Sequence, residues 1–223
     1  GRYAADIVVE GDIHYSQQGK STDSGHGSRP RLLQGPAYWL LNPVFAKRKE
    51  DPNIERQGVF ICLGGTDTSG LSQRVVTLAA HLSHTTPVQL VTGQPEDAPP
   101  DLPPHWSHTA QLPPASIADA MRRSAIGIIA GGVMMYEAAS QGLPCALALQ
   151  HDAGQEPGAA TFDRLGVHIH AGYADSVSIE TLADICRRLL DERATRAVRA
   201  RALVDGHGVS RLIAVIEEEM LDE

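Results

Sequence analysis

Two glycine pairs are the first residues of this sequence whose type and position suggest chemistry. Gly64-Gly65 follows the apolar run VFICL, with the hydroxyl of Thr66 next in the chain, and Gly131-Gly132 follows the apolar run IGIIA. Glycine reaches positive φ and allows a ligand to approach the backbone closely, and the N–H groups of such turns can hold a phosphate. The same pairs are compatible with tight strand-to-helix turns that bind nothing.

An acidic residue stands at a fixed distance from the second pair. Glu137 lies five residues after Gly132, inside an otherwise apolar segment. A carboxylate in the second turn of a helix could accept hydrogen bonds from both hydroxyls of a ribose, which is the role of the acidic residue in dinucleotide folds. The spacing is not G-x-G-x-x-G, so a nicotinamide or flavin is not indicated. A solvated helix position explains Glu137 equally well.

A third polar cluster, His151-Asp152-Ala153-Gly154-Gln155, follows the apolar run PCALAL. It follows a predicted strand, as the two glycine turns do, so all three are expected at the same ends of the strands. A histidine next to an aspartate suggests catalysis. A loop before a helix, with Asp152 or Gly154 near the N-cap, is the favoured interpretation.

The other histidines do not predict a metal site. His168 and His170 alternate on a predicted strand and face the same side, but they lack an obvious third ligand, so a core or surface pair is favoured. His14, beside the Ser/Gly-rich segment 16–31, is expected to be a solvated histidine near a mobile loop. The sequence has no Gly-x-Ser-x-Gly and no Walker A motif, so neither a serine hydrolase nor a P-loop NTPase is supported. We expect no metal and no cofactor.

Composition narrows the class of protein. The 223 residues carry a formal charge of −8, 42% are hydrophobic, and three are cysteines. This size suits one domain, or one domain plus an appendage, and an acidic chain is a poor candidate for nucleic-acid binding. No apolar run approaches the roughly 20 residues of a membrane span. Widely spaced cysteines in odd number predict buried free thiols in a reducing compartment, and therefore a cytoplasmic protein.

Short apolar runs and helical patterns alternate along the chain. The predicted strands are 5–9, the run from Val59, 88–91, 106–112, 126–130, 144–149 and 167–170. The predicted helices are 69–82, 115–124 with Ser116 as N-cap, 134–141, 155–165, 179–191, 193–204 and 209–221, with Gly142 and Gly166 ending two of them. This alternation predicts an α/β fold, a Rossmann-like parallel sheet with helices on both faces and ligands at the carboxyl ends of the strands.

Four segments, in order, carry a resemblance to a known family: LLQGPAYWLLNPVF (32–45), VFICLGGTD (59–67), GIIAGGVMMYEAASQGLPCALAL (127–149) and VDGHGVSRL (204–212). They resemble the nucleotide-binding half of GT-B-fold enzymes, in particular the UDP-sugar hydrolase of pseudaminic acid biosynthesis and the related spore coat polysaccharide biosynthesis proteins. The resemblance implies that residues 58–223 form a Rossmann-like UDP-sugar-binding domain, the C-terminal half of a GT-B fold. It also implies that residues 1–57 are the tail of a truncated first domain with a mobile loop and a connector, and the start of the chain in mid-pattern agrees with this expectation.

The resemblance also implies roles for single residues. Gly64, Gly65 and Thr66 would lie near the diphosphate, Gly131 and Gly132 would let helix amides face it, Glu137 would hold the ribose, and Gln155 would face the nucleotide sugar. Val133, Met134 and Met135 stand where the family commonly has hydroxyl residues, which leaves backbone N–H groups as donors. The family's proposed catalytic histidine lies in a Gly/His-rich turn of the first domain that has no match here, so the catalytic residue is unknown.

Three functions remain open from the sequence. In the hydrolase, water attacks the anomeric carbon and UDP leaves. This chain would then bind the UDP-sugar and catalyse poorly without the missing N-terminal domain, its expected partner in cis. The alternatives are the donor-binding domain of a GT-B glycosyltransferase and a non-catalytic nucleotide-sugar-binding or interaction module.

Overall fold

The structure, a computed structural model, describes residues 5–14, 30–46, 55–150 and 154–221. The predictions for His151-Asp152-Ala153, for most of the loop 16–31 and for most of the connector 47–57 lie outside these residues. The strands are β1 Ile7–Glu10, β2 Arg31–Gln34, β3 Val59–Cys62, β4 Val88–Thr92, β5 Trp106–Ala110, β6 Ile126–Ile129, β7 Cys145–Leu149 and β8 Ile169–Tyr173. The α-helices are α1 Leu71–Arg74, α2 Pro114–Arg123, α3 Val133–Ser140, α4 Glu156–Arg164, α5 Ile179–Leu203 and α6 Gly208–Leu221.

Six of the strands form one sheet, in the order β5-β4-β3-β6-β7-β8, and every pairing in it is parallel. All residues of β3, β6 and β7 are buried. Parallel sheets are covered on both faces, so their central strands are continuous apolar runs, as the sequence has here. The predicted Rossmann-like α/β fold is therefore confirmed.

The two faces of the sheet have separate cores because successive side chains of a strand point to opposite sides. Phe60 and Cys62 of β3 belong to a cluster that includes residues of α2, α3 and α4. Val59 and Ile61 of the same strand belong to a cluster with residues of α1 and α5. The helices thus cover both faces, as expected.

The first part of the chain packs on the same core. β1 and β2 form a small parallel sheet; the sequence predicted β1 but assigned Arg31 to a loop and missed β2. The segment after β2 continues through two short 3₁₀ turns, Pro36–Tyr38 and Pro43–Phe45. The side chains of Ile13, Leu41 and Phe45 lie in the same cluster as those of α2 and α3.

Three helix predictions were wrong in extent. The predicted helices 179–191 and 193–204 are one continuous helix, α5, because Glu192 pairs one turn away with both Arg188 and Arg196 and no residue at the predicted break stops a helix. The predicted helix 69–82 is a single turn, α1, continued by a 3₁₀ segment Val75–Ala80.

Helix ends were predicted with mixed success. Gly142 and Gly166 have φ of +64° and +66° immediately after α3 and α4, so their C′ assignment is confirmed. The N-cap assignment of Ser116 was wrong: α2 begins two residues earlier at Pro114, whose fixed φ suits the first helical position.

Two of the compositional expectations concern described residues. Cys62, Cys145 and Cys186 are buried free thiols, and burial raises the pKa of Cys62 to about 11 and that of Cys186 to about 12. No helix among the described residues has the length and apolar character that a bilayer crossing requires.

Candidate functional site

The carboxyl ends of β3 and β6 lie side by side in the middle of the six-stranded sheet. The two strands pair from Val59↔Ile126 to Cys62↔Ile129, and the Ala130 N–H donates to the Cys62 carbonyl at 3.2 Å. The chain continues from β3 to one side of the sheet and from β6 to the other. In open parallel sheets this switch point leaves a crevice in which ligands bind. Both glycine pairs follow these two strands and therefore lie at the switch point.

The turn after β3 is open on one side and supported on the other. Gly64 has φ of +95°, and a Cβ on Gly64 or Gly65 would meet no atom within 4 Å. Gly93, after β4, lies against this turn, since a Cβ there would be 2.1 Å from the Gly65 carbonyl oxygen. The Gln94 side-chain amide donates to the same oxygen at 3.3 Å. The sequence analysis missed Gly93, whose signal was a glycine directly after a strand.

Asp67 fixes the second half of this turn. Its carboxylate accepts from the N–H and hydroxyl of Ser69, at 3.2 and 2.5 Å, and from the Ser72 N–H at 2.5 Å. Burial by itself raises the pKa of Asp67, but these hydrogen bonds outweigh it and hold the pKa below its usual value. Asp67 therefore caps α1, and Thr66, the residue before it, is exposed.

The turn after β6 is covered by Gln155. Gly132 has φ of +76° and is the N-cap of α3. A Cβ on Gly131 would lie 2.2 Å from Gln155 Oε1, and a Cβ on Gly132 would lie 3.7 Å from Gln155 Nε2. The structure thus brings Gln155, the N-cap residue of α4, onto the second glycine pair, and any larger residue at position 131 would displace it.

The three apolar residues after Gly132 have different positions. Val133 is 50% exposed, and Met134 packs partly buried against the core. The Met135 side chain is fully in the core, and its N–H donates to the Gly132 carbonyl at 3.2 Å. The backbone N–H groups of Val133 and Met134 are the ones that start the helix without an intrahelical acceptor.

Glu137 is a half-buried carboxyl group on α3 and not a solvated helix residue. Burial raises its pKa to about 7. Burial raises the pKa of Cys62, at the carboxyl end of β3, and the charge of Glu137 adds to that rise. Within the described ranges no hydrogen bond or ion pair involves this side chain.

A second polar cluster joins the end of β1 to α3, and the sequence did not reveal it. Asp12 Oδ1 is 2.7 Å from His14 Nδ1 and accepts from the Tyr136 hydroxyl at 3.0 Å. The same hydroxyl accepts from the Ile13 N–H at 2.9 Å. The Tyr136 ring stacks on Trp39 with 3.8 Å between ring centroids. His14 is only 16% exposed at its side chain, so its expected solvation was wrong.

His168 and His170 do not form a metal site. His168 directly precedes β8 and is fully buried; its Nδ1 accepts from the Cys145 N–H at 3.2 Å and its Nε2 donates to the Met135 carbonyl at 3.0 Å. His170 is half-buried in β8. No three His, Cys, Asp or Glu residues are grouped as metal ligands in the part of the chain that the structure describes.

The sequence has a curated relative in the spore coat polysaccharide biosynthesis protein SpsG of Bacillus subtilis, to which it is 26% identical over 201 residues. That match spans 84% of this chain and 58% of SpsG, so the chain corresponds to little more than half of the relative. No protein-family model matches the chain.

Solved structures with the same architecture include MurG of Acinetobacter baumannii, with a TM-score of 0.63 and 16% identity over 96% of this chain and 61% of MurG. The glycotransferase of kitacinnamycin matches with a TM-score of 0.62 and 21% identity. The match covers 84% of this chain and 49% of the glycotransferase chain. The chain has the Rossmann-like fold seen in GT-B glycosyltransferases. The glycosyltransferase VinC, solved in complex with dTDP, shares this GT-B-type fold with a TM-score of 0.54 and 18% identity, over 87% of this chain and 50% of VinC.

Proposed function

We propose that the chain binds a nucleotide sugar at the carboxyl edge of its six-stranded sheet, as the donor-binding half of a glycosyltransferase in polysaccharide biosynthesis. The observation that carries the proposal is the pair of glycine turns at the switch point, with the half-buried carboxyl of Glu137 on the helix that follows the second turn.

The diphosphate is assigned to the two turns. Gly64 and Gly65 present open backbone, and Gly132 starts α3 with the N–H groups of Val133 and Met134, which have no acceptor within the helix. Such groups, at the positive end of a helix dipole, suit an anion. Gly131 is required because Gln155 occupies the space that a Cβ would need. No hydroxyl side chain follows Gly132, so this half of the site relies on the backbone.

The ribose is assigned to Glu137. A carboxyl group removed from water without a protein partner is costly, and buried polar groups almost always find a hydrogen-bond partner. The 2′- and 3′-hydroxyls of a ribose are donors that a carboxylate can accept together. The raised pKa of about 7 then falls when ligand donors bind, because hydrogen bonds to the charged form favour it.

Glycosyl transfer is preferred here over hydrolysis. The hydrolase activity came from the resemblance of the sequence alone, whereas two of the structures compared above are glycosyltransferases, and VinC was solved with dTDP. In transfer an acceptor oxygen bonds to the anomeric carbon, while the carbon–oxygen bond to the diphosphate breaks and its electron pair leaves with the nucleotide. Backbone N–H groups and a helix N-terminus stabilise that leaving charge.

Calorimetric titration with UDP, UDP-GlcNAc and dTDP tests the binding. We expect saturable binding of at least one of them, and Glu137→Gln should weaken it about tenfold, which corresponds to the loss of a hydrogen bond to a charged group. Glu217→Gln, on the exposed face of α6, is the matched control and should bind as the wild type does. Absence of both heat and thermal shift at millimolar ligand would contradict the proposal.

Nucleotide release separates the remaining functions once binding is shown. Release from a nucleotide sugar that requires an added acceptor indicates a transferase, and release without acceptor indicates a hydrolase. Binding with no release in the protein of full length indicates a non-catalytic module.

A further inference from the structure

A cleft of about 380 Å³ lies at the amino end of the six-stranded sheet, between the first residues of β3, β4 and β5 and the last turn of α2. This volume is within the range of about 300–1,000 Å³ that is usual for small-molecule sites. The proposed donor site lies at the other end of the strands, and β3 alone separates the two ends by four residues, or about 13 Å. The polar side chains that line the cleft include Glu55, Gln57, Gln89, His105, Ser107 and Arg123.

Backbone contacts fix the shape of the cleft. The Gln57 N–H donates to the Arg123 carbonyl at 2.9 Å, which joins the segment before β3 to the end of α2. The Val88 N–H donates to the His105 carbonyl at 3.2 Å, which joins β4 to β5. Gly58 has φ of +71°, and a Cβ there would lie 2.1 Å from the carbonyl oxygen of the residue before β4. The cleft is therefore built into the amino ends of three strands and one helix.

Gln89 is a polar side chain on a face of the sheet that is otherwise apolar nearby. It is paired in register with Phe60 of β3, and Phe60 and Val91, on the same face, belong to the core cluster that includes α2. Gln89 is half-buried and lines the cleft, and its side chain has no hydrogen bond among the described residues. A polar group in such a place is costly without a hydrogen-bond partner. The cleft is the space from which a ligand can supply that partner.

The cleft carries one charged group of each sign. Arg123, the last residue of α2, is exposed, and the Glu55 carboxylate accepts from the Gln57 amide at 3.1 Å. The Ser107 hydroxyl donates to the Val88 carbonyl at 3.4 Å, so its oxygen can still accept. A guanidinium only donates and a carboxylate only accepts, whereas an amide does both. This mixture favours an uncharged ligand whose groups both donate and accept, which is the property of hydroxyl groups.

We propose that the cleft is a second saccharide site, which binds an uncharged sugar unit through Gln89 and Arg123 and is separate from the donor site. The choice of a saccharide rests on the proposed function, since a protein of polysaccharide biosynthesis handles sugar chains, whereas the cleft itself does not depend on it. Val59 and Pro87 add apolar wall for the C–H groups of a sugar ring. Because it lies at the amino end of the strands, the site holds a sugar chain rather than the sugar that reacts.

Saturation-transfer NMR and calorimetry, with chitotriose and maltotriose as probes, test the proposal. We expect at least one trisaccharide to bind the wild type at millimolar concentration. Gln89→Met keeps the length of the side chain and removes the amide, and Arg123→Met removes the guanidinium. Each should weaken the binding about fivefold to tenfold, as the loss of a hydrogen bond does. Arg193→Met, at an exposed arginine of α5, is the matched control and should bind as the wild type does.

Saturating UDP and the Glu137→Gln variant separate this site from the donor site, and both should leave trisaccharide binding unchanged. Competition by UDP, or binding that survives both cleft substitutions, would overturn the second site. So would the absence of trisaccharide binding, including the case in which inorganic phosphate alone binds and depends on Arg123. Trisaccharide binding without any binding of UDP, UDP-GlcNAc or dTDP would overturn the donor site and support the cleft. Melting curves identify an unfolded variant, and Arg123→Met, at an exposed position, keeps the test valid if Gln89→Met does not fold.

Discussion

At the scale of the residue, Glu137 has opposite effects on stability and on binding. Burial raises the pKa of its half-buried carboxyl to about 7, so above that pH the native chain holds a carboxylate that burial disfavours. Such a group is retained where a ligand completes its hydrogen bonds, and residues with strongly shifted pKa values cluster at functional sites.

We predict that Glu137→Gln raises the stability of the free protein at alkaline pH. The folded pKa lies above the unfolded one, so the native state binds the extra proton between about pH 4.5 and pH 7, and stability falls as the pH rises through that window. The variant should gain about 1–2 kcal/mol at pH 8, after allowance for partial exposure, and nothing at pH 4.5. Urea unfolding at both pH values measures it, with Glu217→Gln as control. An equal change in the free energy of unfolding at both pH values would show that Glu137 is not buried as described.

The positions of single residues relative to strands and helices were predictable from the neighbouring sequence. The glycine pairs and Glu137 stand at fixed distances along the chain from apolar runs, and those runs form the strands of the sheet. Asp12 and Tyr136 are 124 positions apart, and Gln155 reaches Gly131 from a different helix. No pattern of residue types along the chain encodes such contacts.

At the scale of the element, α3 is the helix that carries the candidate site, and one buried histidine connects it to the sheet. His168 takes a hydrogen bond from the Cys145 N–H of β7 and gives one to the Met135 carbonyl in the first turn of α3. Arg196 of α5 donates to the His168 carbonyl at 3.0 Å. The position of Glu137 therefore depends on a side chain outside its own helix.

We predict an acid-sensitive stability centred on His168. Burial lowers the pKa of His168 to about 4. The hydrogen bond to the Met135 carbonyl opposes this shift, and the charge of Arg196 adds to it. The unfolded chain binds a proton near pH 6.5, whereas the native chain does not until about pH 4, so the stabilisation is lost as the pH falls between these values. The wild type should lose about 3 kcal/mol more than His168→Gln across this window. Chemical unfolding at pH 4, 5 and 6.5 measures the difference, and parallel curves for the two proteins would refute it.

Elements were predicted where the hydrophobic period was clear. The buried strands β3, β6 and β7 are continuous apolar runs, which is the sequence pattern of a central parallel strand. β2 was missed because RLLQ is short and follows a polar loop. The two predicted helices join into α5 at Glu192. Its ion pairs with Arg188 and Arg196 form only when the helix brings residues four apart onto the same face.

At the scale of the whole molecule, the first part of the chain is packed onto the Rossmann-like part. Phe45 is 1% exposed and lies in the core cluster with α2 and α3, and the Gln141 side chain donates to its carbonyl at 2.6 Å. Arg31 of β2 pairs with Glu218 and Glu219 of α6. The division at residue 57 into the tail of a first domain and a UDP-sugar-binding domain stays a prediction. The described residues on either side of it share one core.

We predict that the two parts unfold together. The chain has two tryptophans, Trp39 in the first part and Trp106 in β5, so Trp39→Phe and Trp106→Phe each leave one local probe. Fluorescence of both variants should give the same denaturant midpoint, and Phe45→Ala should lower both by an equal amount, with a cost of about 3–5 kcal/mol. Leu40→Ala, at a 48% exposed neighbouring site, should change stability by less than about 0.5 kcal/mol. Two separate midpoints would mean two independent units.

The sequence by itself determined the α/β class, the parallel sheet and the carboxyl-edge position of the glycine turns, because hydrophobic period and glycine placement act over a few residues. Only the tertiary structure decided that Gln155 covers Gly131, that Met135 lies in the core while Val133 is exposed, and that Asp12 and His14 adjoin α3 and α4. These features arise when strands distant in the chain align, and the side chains that meet there depend on packing across the whole sheet rather than on local pattern.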